Sequence, residues 1–473
     1  MQHINNAYIN GNWHPLAGLD QFSLINHATQ DCIAKVTMAT AEDVNLAVEA
    51  ANKALLDWSN TPNKKRAEYL NAIADEMQNR YQDLVQAHVQ SMGCPVGLTG
   101  AFHIDCAIEA MRYYAEMAPM IDKVEQRENN LITKQPIGVC ALINPWNYPL
   151  HQLVGKLAPA LATGCTVVVK PAEQTPLADH IMAQIIDKVG LPAGVFNLVF
   201  GRGHEIGPVM AEHPKVNMIS FTGSTRAGIE VAKNAAASVK RVCQELGGKS
   251  AYIITEDADL EAAVRYGVED VMGNTGQTCN ALTRMLVPKS RYQEIVKIAA
   301  QVAKEQVVGD PNHPDTTMGP LASERQFNIV QDYIKLGVEE GAELLVGSPD
   351  RPAHLDKGYY IAPTIFTKVT RHMRIAQEEI FGPVLCIIEY DDIEQAIEIA
   401  NDSQYGLSSA VYAKDQASAL PIAARLDAGQ CYIQGSYFSM YAPFGGVKQS
   451  GNGREWGEEA MHEYIETKAI ICP

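Results

Sequence analysis

Beyond Leu131 the chain alternates short β-rich runs with helical ones, and this alternation constrains the fold more than any other feature. The runs are GVCALINP, LVGKLAPALATG, CTVVVKP, ADHIMAQIIDKVG and GVFNLVFG, in that order. Strands joined through helices cross over and lie parallel, so these segments predict βαβ units around a parallel sheet. A second series follows Gly248, with SAYIIT, the helical DLEAAVRYGVEDVM, RMLVP and the helical RYQEIVKIAAQVAKEQ, and predicts a second α/β domain. Upstream, from Thr40 to Gln90, apolar residues recur three and four apart, the spacing of surface helices facing a core.

A length of 473 residues at 47% hydrophobic accommodates two or three domains. GDPNHPDTTMGP and GSPDRPAHLDKG read as loops, and no low-complexity tract, long linker or fixed-period repeat separates the parts, so close packing of the domains is expected. The formal charge of −17 argues against a sequence-independent grip on nucleic acid or on an anionic membrane surface. Ten cysteines without CxxC pairs, and no histidine cluster at ligand spacing, suggest neither a disulfide framework nor a metal site. A reducing, cytoplasmic setting is expected, since no basic and apolar leader and no membrane-length apolar stretch is visible.

Three residues stand out chemically. Cys279 lies in NTGQTCNAL, among small neighbours that leave a thiol accessible; most cysteines, however, are small buried hydrophobes. Glu245 in QELGGKS ends the strand-like VCQEL, 34 positions before Cys279; a carboxylate beside two glycines is also an ordinary turn residue. Asn147 in INPWNYPL stands between Pro145 and Pro149, which stiffen the backbone around its amide, a suitable oxyanion donor that could equally cap a turn. For a nucleotide, VVVKPAEQTP puts Lys170 and Glu173 after an apolar strand. SFTGSTRAG puts Gly223, Ser224, Thr225 and Gly228 at a strand-to-helix turn, where backbone N–H groups and the helix dipole can hold pyrophosphate.

The motifs PWNYP, KPAEQTP, FTGSTRAG, ELGGKS, GQTC, EEIFGPV and PFGGVKQSGNGRE, in this order, resemble the aldehyde dehydrogenase superfamily across almost the whole chain. The resemblance implies an α/β subunit of three parts. These are a variant Rossmann cofactor domain over 1–115 plus 139–246, an α/β catalytic domain over 247–447, and a small β oligomerisation arm over 116–138 plus 448–473. It implies a homodimer or homotetramer with no nucleic-acid or membrane partner. Cys279 matches the nucleophile, Asn147 the oxyanion donor and Glu245 the base that activates water against a thioester. Lys156 and Glu455 match a proton relay, the alternative being an ordinary helix lysine and a surface acid.

For the cofactor, the resemblance carries over Pro145, Trp146, Lys170, Glu173, Gly223, Ser224, Leu246, Glu379 and Phe381. An acid at Glu173 favours the free 2′-hydroxyl of NAD+, with NADP+ as a second cofactor. No metal is implied. Tyr148, Phe438 and Phe444 match an aromatic wall, and Thr278 and Asn280 flank the nucleophile, so the small-molecule aldehyde is expected to be apolar or aromatic. Gly155 replaces a bulky residue of many relatives and predicts a pocket wider on that side.

Three rivals differ in chemistry. A CoA-acylating enzyme commonly lacks the base that Glu245 would supply. An inactive structural homologue need not keep Cys279, Glu245 and Asn147. A cysteine hydrolase needs a histidine partner for the thiol, and none of the 13 histidines lies in the motifs.

Overall fold

The computed structural model of the chain describes residues 1–16, 18 and 20–473. Its first large sheet has eight strands, and five of them run parallel in the order Arg241–Glu245, Met218–Thr222, Val139–Ile143, Thr166–Lys170, Phe196–Leu198. From Val139–Ile143 the chain builds outward in one direction through Thr166–Lys170 and Phe196–Leu198. It then crosses back to lay Met218–Thr222 and Arg241–Glu245 on the other side. This reversal leaves a crevice beyond the carboxyl ends of Val139–Ile143 and Met218–Thr222, where open parallel sheets bind ligands. The hairpin Asn6–Ile9 and Asn12–Pro15 closes one edge, and Gly451–Asn452 pairs antiparallel with Arg241–Glu245 at the other.

The helices follow from local signals. Pro149 starts the helix Pro149–Thr163 and Gly164, at φ 91°, ends it. Every residue of that helix is buried, including Lys156, because helices and sheet cover it on all sides. Ser224 caps the helix Thr225–Ala236 by accepting from the backbone N–H of Ala227 at 3.3 Å.

The second large sheet orders its seven strands as Glu343–Val346, Thr364–Thr367, Val384–Tyr390, Arg284–Pro288, Ala251–Ile254, Ser408–Tyr412 and Gln430–Ile433. All its pairings are parallel except the edge strand Glu343–Val346. A separate antiparallel sheet joins Ile465–Ile470, Asn130–Pro136 and Glu125–Arg127. The segment expected to form a β arm is thus partly helical, since Ala118–Asp122 is a 3-10 helix with Pro119 in its first turn. The tail expected to join it divides: only Ile465–Ile470 pairs there, whereas Gly451–Asn452 belongs to the first large sheet. Among the described residues no helix is long and apolar enough to cross a membrane, and no group of three or more His, Cys, Asp or Glu could hold a metal.

Candidate active site

Glu245 ends its strand at the edge that Gly451 pairs with, and its side chain is buried with both carboxylate oxygens unpartnered among the described residues. It lies against Gly445, where a Cβ would fall 2.5 Å from Oε1, so a side chain there would displace the acid. Lys156 and Glu455 form a sealed ion pair at 2.8 Å, and Thr222 donates to Glu455 at 3.4 Å. Burial, followed by the like charge of Glu455, raises Glu245 well above the usual carboxylate range, while Lys156 and Arg454 act in the opposite sense. A carboxylate raised in this way is a stronger base once ionised.

Cys279 is presented by a turn with three successive left-handed residues, Asn274 (φ 51°), Thr275 (φ 55°) and Gly276 (φ 71°). Asn and Gly tolerate this region, whereas Thr does not, and the turn holds through buried hydrogen bonds. The Asn274 amide donates to the carbonyls of Asn147 (3.1 Å) and Gln277 (3.3 Å). Gln277 donates to the Asn274 carbonyl at 3.1 Å and accepts from the Ala322 N–H at 2.8 Å. Asn147 donates one amide N–H to the Gln277 carbonyl at 3.0 Å, which fixes the amide and leaves its second N–H for a ligand. Gly248 lies so close that a Cβ there would meet the Cys279 carbonyl oxygen at 2.6 Å, bringing the Glu245 loop onto the Cys279 loop.

The Cys279 side chain is half-buried. Burial, then the charges of Glu379 and Glu245, push its thiol well up, and the backbone N–H groups of Asn280 and Cys279 oppose that only in part. In this state Cys279 is a thiol, and its activation needs a positive charge or a base brought to the site.

The expected cofactor residues gather on the crevice side. Pro145 and Trp146 follow Val139–Ile143, and the Trp146 indole meets Phe381 edge-on at 5.2 Å. Gly223 and Ser224 form the turn into Thr225–Ala236, and Leu246 lies against Gly228, where a Cβ would come within 2.6 Å of its side chain. Glu379 accepts from the Gly248 N–H at 3.0 Å and covers Gly247, where its carboxylate excludes a Cβ. Burial raises Glu379 to about 7, against the Gly248 N–H and Lys249. Lys170 donates to the Pro171 carbonyl at 2.8 Å and faces Glu173 at 3.7 Å, while Glu173 accepts from the Gly203 N–H.

On the substrate side, the Tyr148 hydroxyl and Thr278 hydroxyl hydrogen-bond at 2.9 Å, and Asn280 donates to Tyr432 at 3.2 Å. Phe438 packs edge-on against Phe444 at 6.0 Å. The expected widening at Gly155 is absent: a Cβ there would fall 2.8 Å from Cζ2 of Trp456, whose indole occupies the space. Three residues packed on this wall were not expected from sequence. His103 stacks on Tyr148 at 4.6 Å, and His151 and Trp456 both pack on Phe438, at 5.1 and 5.3 Å. His151 had a signal, since it lies four positions before Gly155 on one helix and so shares its face. His103 and Trp456 arrive from distant segments with no local mark.

The sequence profile described as the aldehyde dehydrogenase family matches residues 13–470. The chain belongs to the aldehyde dehydrogenase family. This aldehyde dehydrogenase is 46% identical to 3-succinoylsemialdehyde-pyridine dehydrogenase from a Pseudomonas species, over 100% of this chain and 99% of that one. Its fold matches a mutant of aldehyde dehydrogenase C from Pseudomonas syringae, solved with NAD+ and octanal, at a TM-score of 0.97. That match is 45% identical and covers 98% of this chain and 96% of the other. An aldehyde dehydrogenase from Mycobacterium tuberculosis, solved with NAD+, matches at a TM-score of 0.97 and 40% identity, covering 100% of this chain and 99% of its own.

Proposed function

We propose that this aldehyde dehydrogenase oxidises an apolar or aromatic aldehyde to its carboxylic acid with NAD+, through a cysteine-bound acyl group released by water. The observation that carries this reading is the convergence of Cys279, the half-used Asn147 amide and the unpartnered buried Glu245 carboxylate. The Cys279 sulfur, as thiolate, bonds to the aldehyde carbon while the carbonyl electron pair moves to oxygen. The free Asn147 N–H and the Cys279 backbone N–H receive that oxyanion. NAD+, held by the crevice residues, would supply the acceptor for the hydride that leaves the same carbon.

The acyl group then stands on Cys279 as a thioester. Glu245 takes a proton from a water as its oxygen bonds to the acyl carbon, and the C–S bond breaks to return the thiolate. The Glu455–Lys156 pair beside Glu245 provides an exit for that proton. A protein-free, buried Glu245 supports water over CoA as the acyl acceptor.

The crevice residues fit the dinucleotide: the Ser224-capped helix start suits the pyrophosphate, and Glu379 and Phe381 suit the nicotinamide ribose. Glu173 would accept from a ribose 2′-hydroxyl. Lys170, already engaged by the Pro171 carbonyl and facing Glu173, is poorly free to hold a 2′-phosphate, so NAD+ is preferred and NADP+ is the weaker cofactor. The ring-lined wall supports an apolar or aromatic tail, and relatives that bind octanal or are named for a pyridine semialdehyde support the same class. Residues 1–115 plus 139–246 are proposed as the cofactor domain and 247–447 as the catalytic domain. The sheet of Glu125–Arg127, Asn130–Pro136 and Ile465–Ile470 is the proposed subunit contact of a homodimer or homotetramer. Ten free cysteines suit a reducing cytoplasm.

The test is absorbance of reduced nicotinamide for wild type, Cys279→Ala and Glu245→Gln, with NAD+ or NADP+ and a panel of aldehydes, with and without CoA. Turnover by wild type with NAD+ and no CoA, a burst that then stalls in Glu245→Gln, and silence in Cys279→Ala are expected. Turnover that depends on CoA, or none with any aldehyde and either cofactor, would overturn the reading.

A further inference from the structure

Tyr148, at the start of the helix Pro149–Thr163, and His151 and Gly155 within it share a face, and that face meets the aromatic wall. The His151 ring lies 5.9 Å from Tyr148, 5.1 Å from Phe438 and 4.4 Å from Trp456. Tyr148 reaches Thr278, the neighbour of the nucleophile, so His151 stands one ring further from the reacting carbon. The two nitrogens of His151 differ. Nδ1 is sealed with no partner, whereas Nε2 is neither sealed nor hydrogen-bonded by the protein among the described residues.

Burial, followed by the charge of Lys156, lowers His151 to about 3, so the imidazole is neutral and carries a single proton. A buried orphan N–H is costlier than a buried lone pair, which places that proton on Nε2, where a ligand can accept it. The surrounding rings offer no counter-charge, since Lys156 is held by Glu455. A carboxylate tail would be desolvated there without compensation.

We propose that His151 is a specificity-determining residue whose Nε2–H recognises an uncharged hydrogen-bond acceptor, such as a heteroaromatic nitrogen or a ketone oxygen, on the tail of a ring-bearing aldehyde. Tyr148 and Phe438 hold the ring, Trp456 backs His151 from within the protein, and His151 distinguishes a ring that can accept a hydrogen bond from one that cannot. This inference rests on the proposed aldehyde oxidation.

The test compares phenylpropanal with its pyridyl counterpart, whose ring has nearly the same shape but carries an acceptor nitrogen too far from the aldehyde to alter its reactivity. Wild type is expected to favour the pyridyl aldehyde by about tenfold in kcat/KM, and His151→Leu to bring the ratio of the two kcat/KM values to about one, whatever the substitution does to both aldehydes together. His151→Asn, which restores an N–H donor, should recover part of the preference, and thermal melting of both variants checks that they fold. A wild type that turns over both aldehydes equally, or a His151→Leu enzyme that keeps the preference, overturns the role of His151 and leaves aldehyde oxidation standing. A wild type that oxidises neither these aldehydes nor octanal overturns the proposed function and this assignment with it.

Discussion

The amides of Asn147 and Asn274 both donate to one acceptor, the carbonyl oxygen of Gln277, at 3.0 and 3.3 Å. Asn274 also holds the Asn147 carbonyl, so it fixes Asn147, the proposed oxyanion donor, at two points. Asn274→Ala should lower kcat/KM by about 10- to 100-fold through misplacement of the Asn147 amide. Because Ala at φ 51° is also strained, Asn274→Gly separates the two effects: stability should return while kcat stays low. A Gly variant with wild-type kcat would show that only the backbone matters.

Glu455 stands beside Glu245 as a like charge and raises it. Glu455→Gln removes that repulsion and leaves Lys156 uncompensated, and both changes lower the Glu245 pKa. Glu245 acts ionised, so activity rises with pH through its pKa, and the acidic limb of thioester hydrolysis should move to lower pH in the variant. Single-turnover hydrolysis measured across pH checks the direction, and an unmoved or alkaline-shifted limb contradicts it.

After burial, the largest influence raising the Cys279 thiol is Glu379. Glu379→Gln should therefore shift the pH midpoint of iodoacetamide alkylation at Cys279 downward and speed the reaction at neutral pH by several-fold, roughly the effect of half a pKa unit or more. Mass spectrometry of the alkylated peptide keeps the other cysteines out of the measurement.

Gly155 and Trp456 occupy one volume between them. Gly155→Ala places a Cβ at 2.8 Å from the indole and should cost about 1–3 kcal/mol of stability by denaturant unfolding, and the same step should cost less in a Trp456→Leu background. An equal cost of Gly155→Ala in the wild-type and Trp456→Leu backgrounds would mean that the indole is not the obstacle.

The alternating runs beyond Leu131 read directly as strands and helices because both faces of each element are specified locally by apolar pattern and by Gly and Pro at the ends. The candidate residues Cys279, Glu245 and Asn147 stand out in the sequence for a similar reason: each sits in a particular backbone, and the neighbouring glycines and prolines record it. The wall was less legible. Gly155 looked like empty space because the side chain that fills it comes from Trp456, and no rule of local spacing links the two positions. His103 was hidden for the same reason, since it reaches Tyr148 from the π-helical segment Gly100–Asp105. The tail misled because six of its residues pair with Asn130–Pro136 while Gly451–Asn452 joins the edge of the first large sheet.

That edge pairing has an evolutionary consequence. Gly451 is zipped to Glu245, and a few residues on, the same stretch carries Glu455, which raises the Glu245 carboxyl, and Trp456, which fills the space beside Gly155. Under the proposed function, hydrolytic power and substrate choice therefore share one short heritable segment. An insertion or slip of a single residue there would retune both traits in one mutational step.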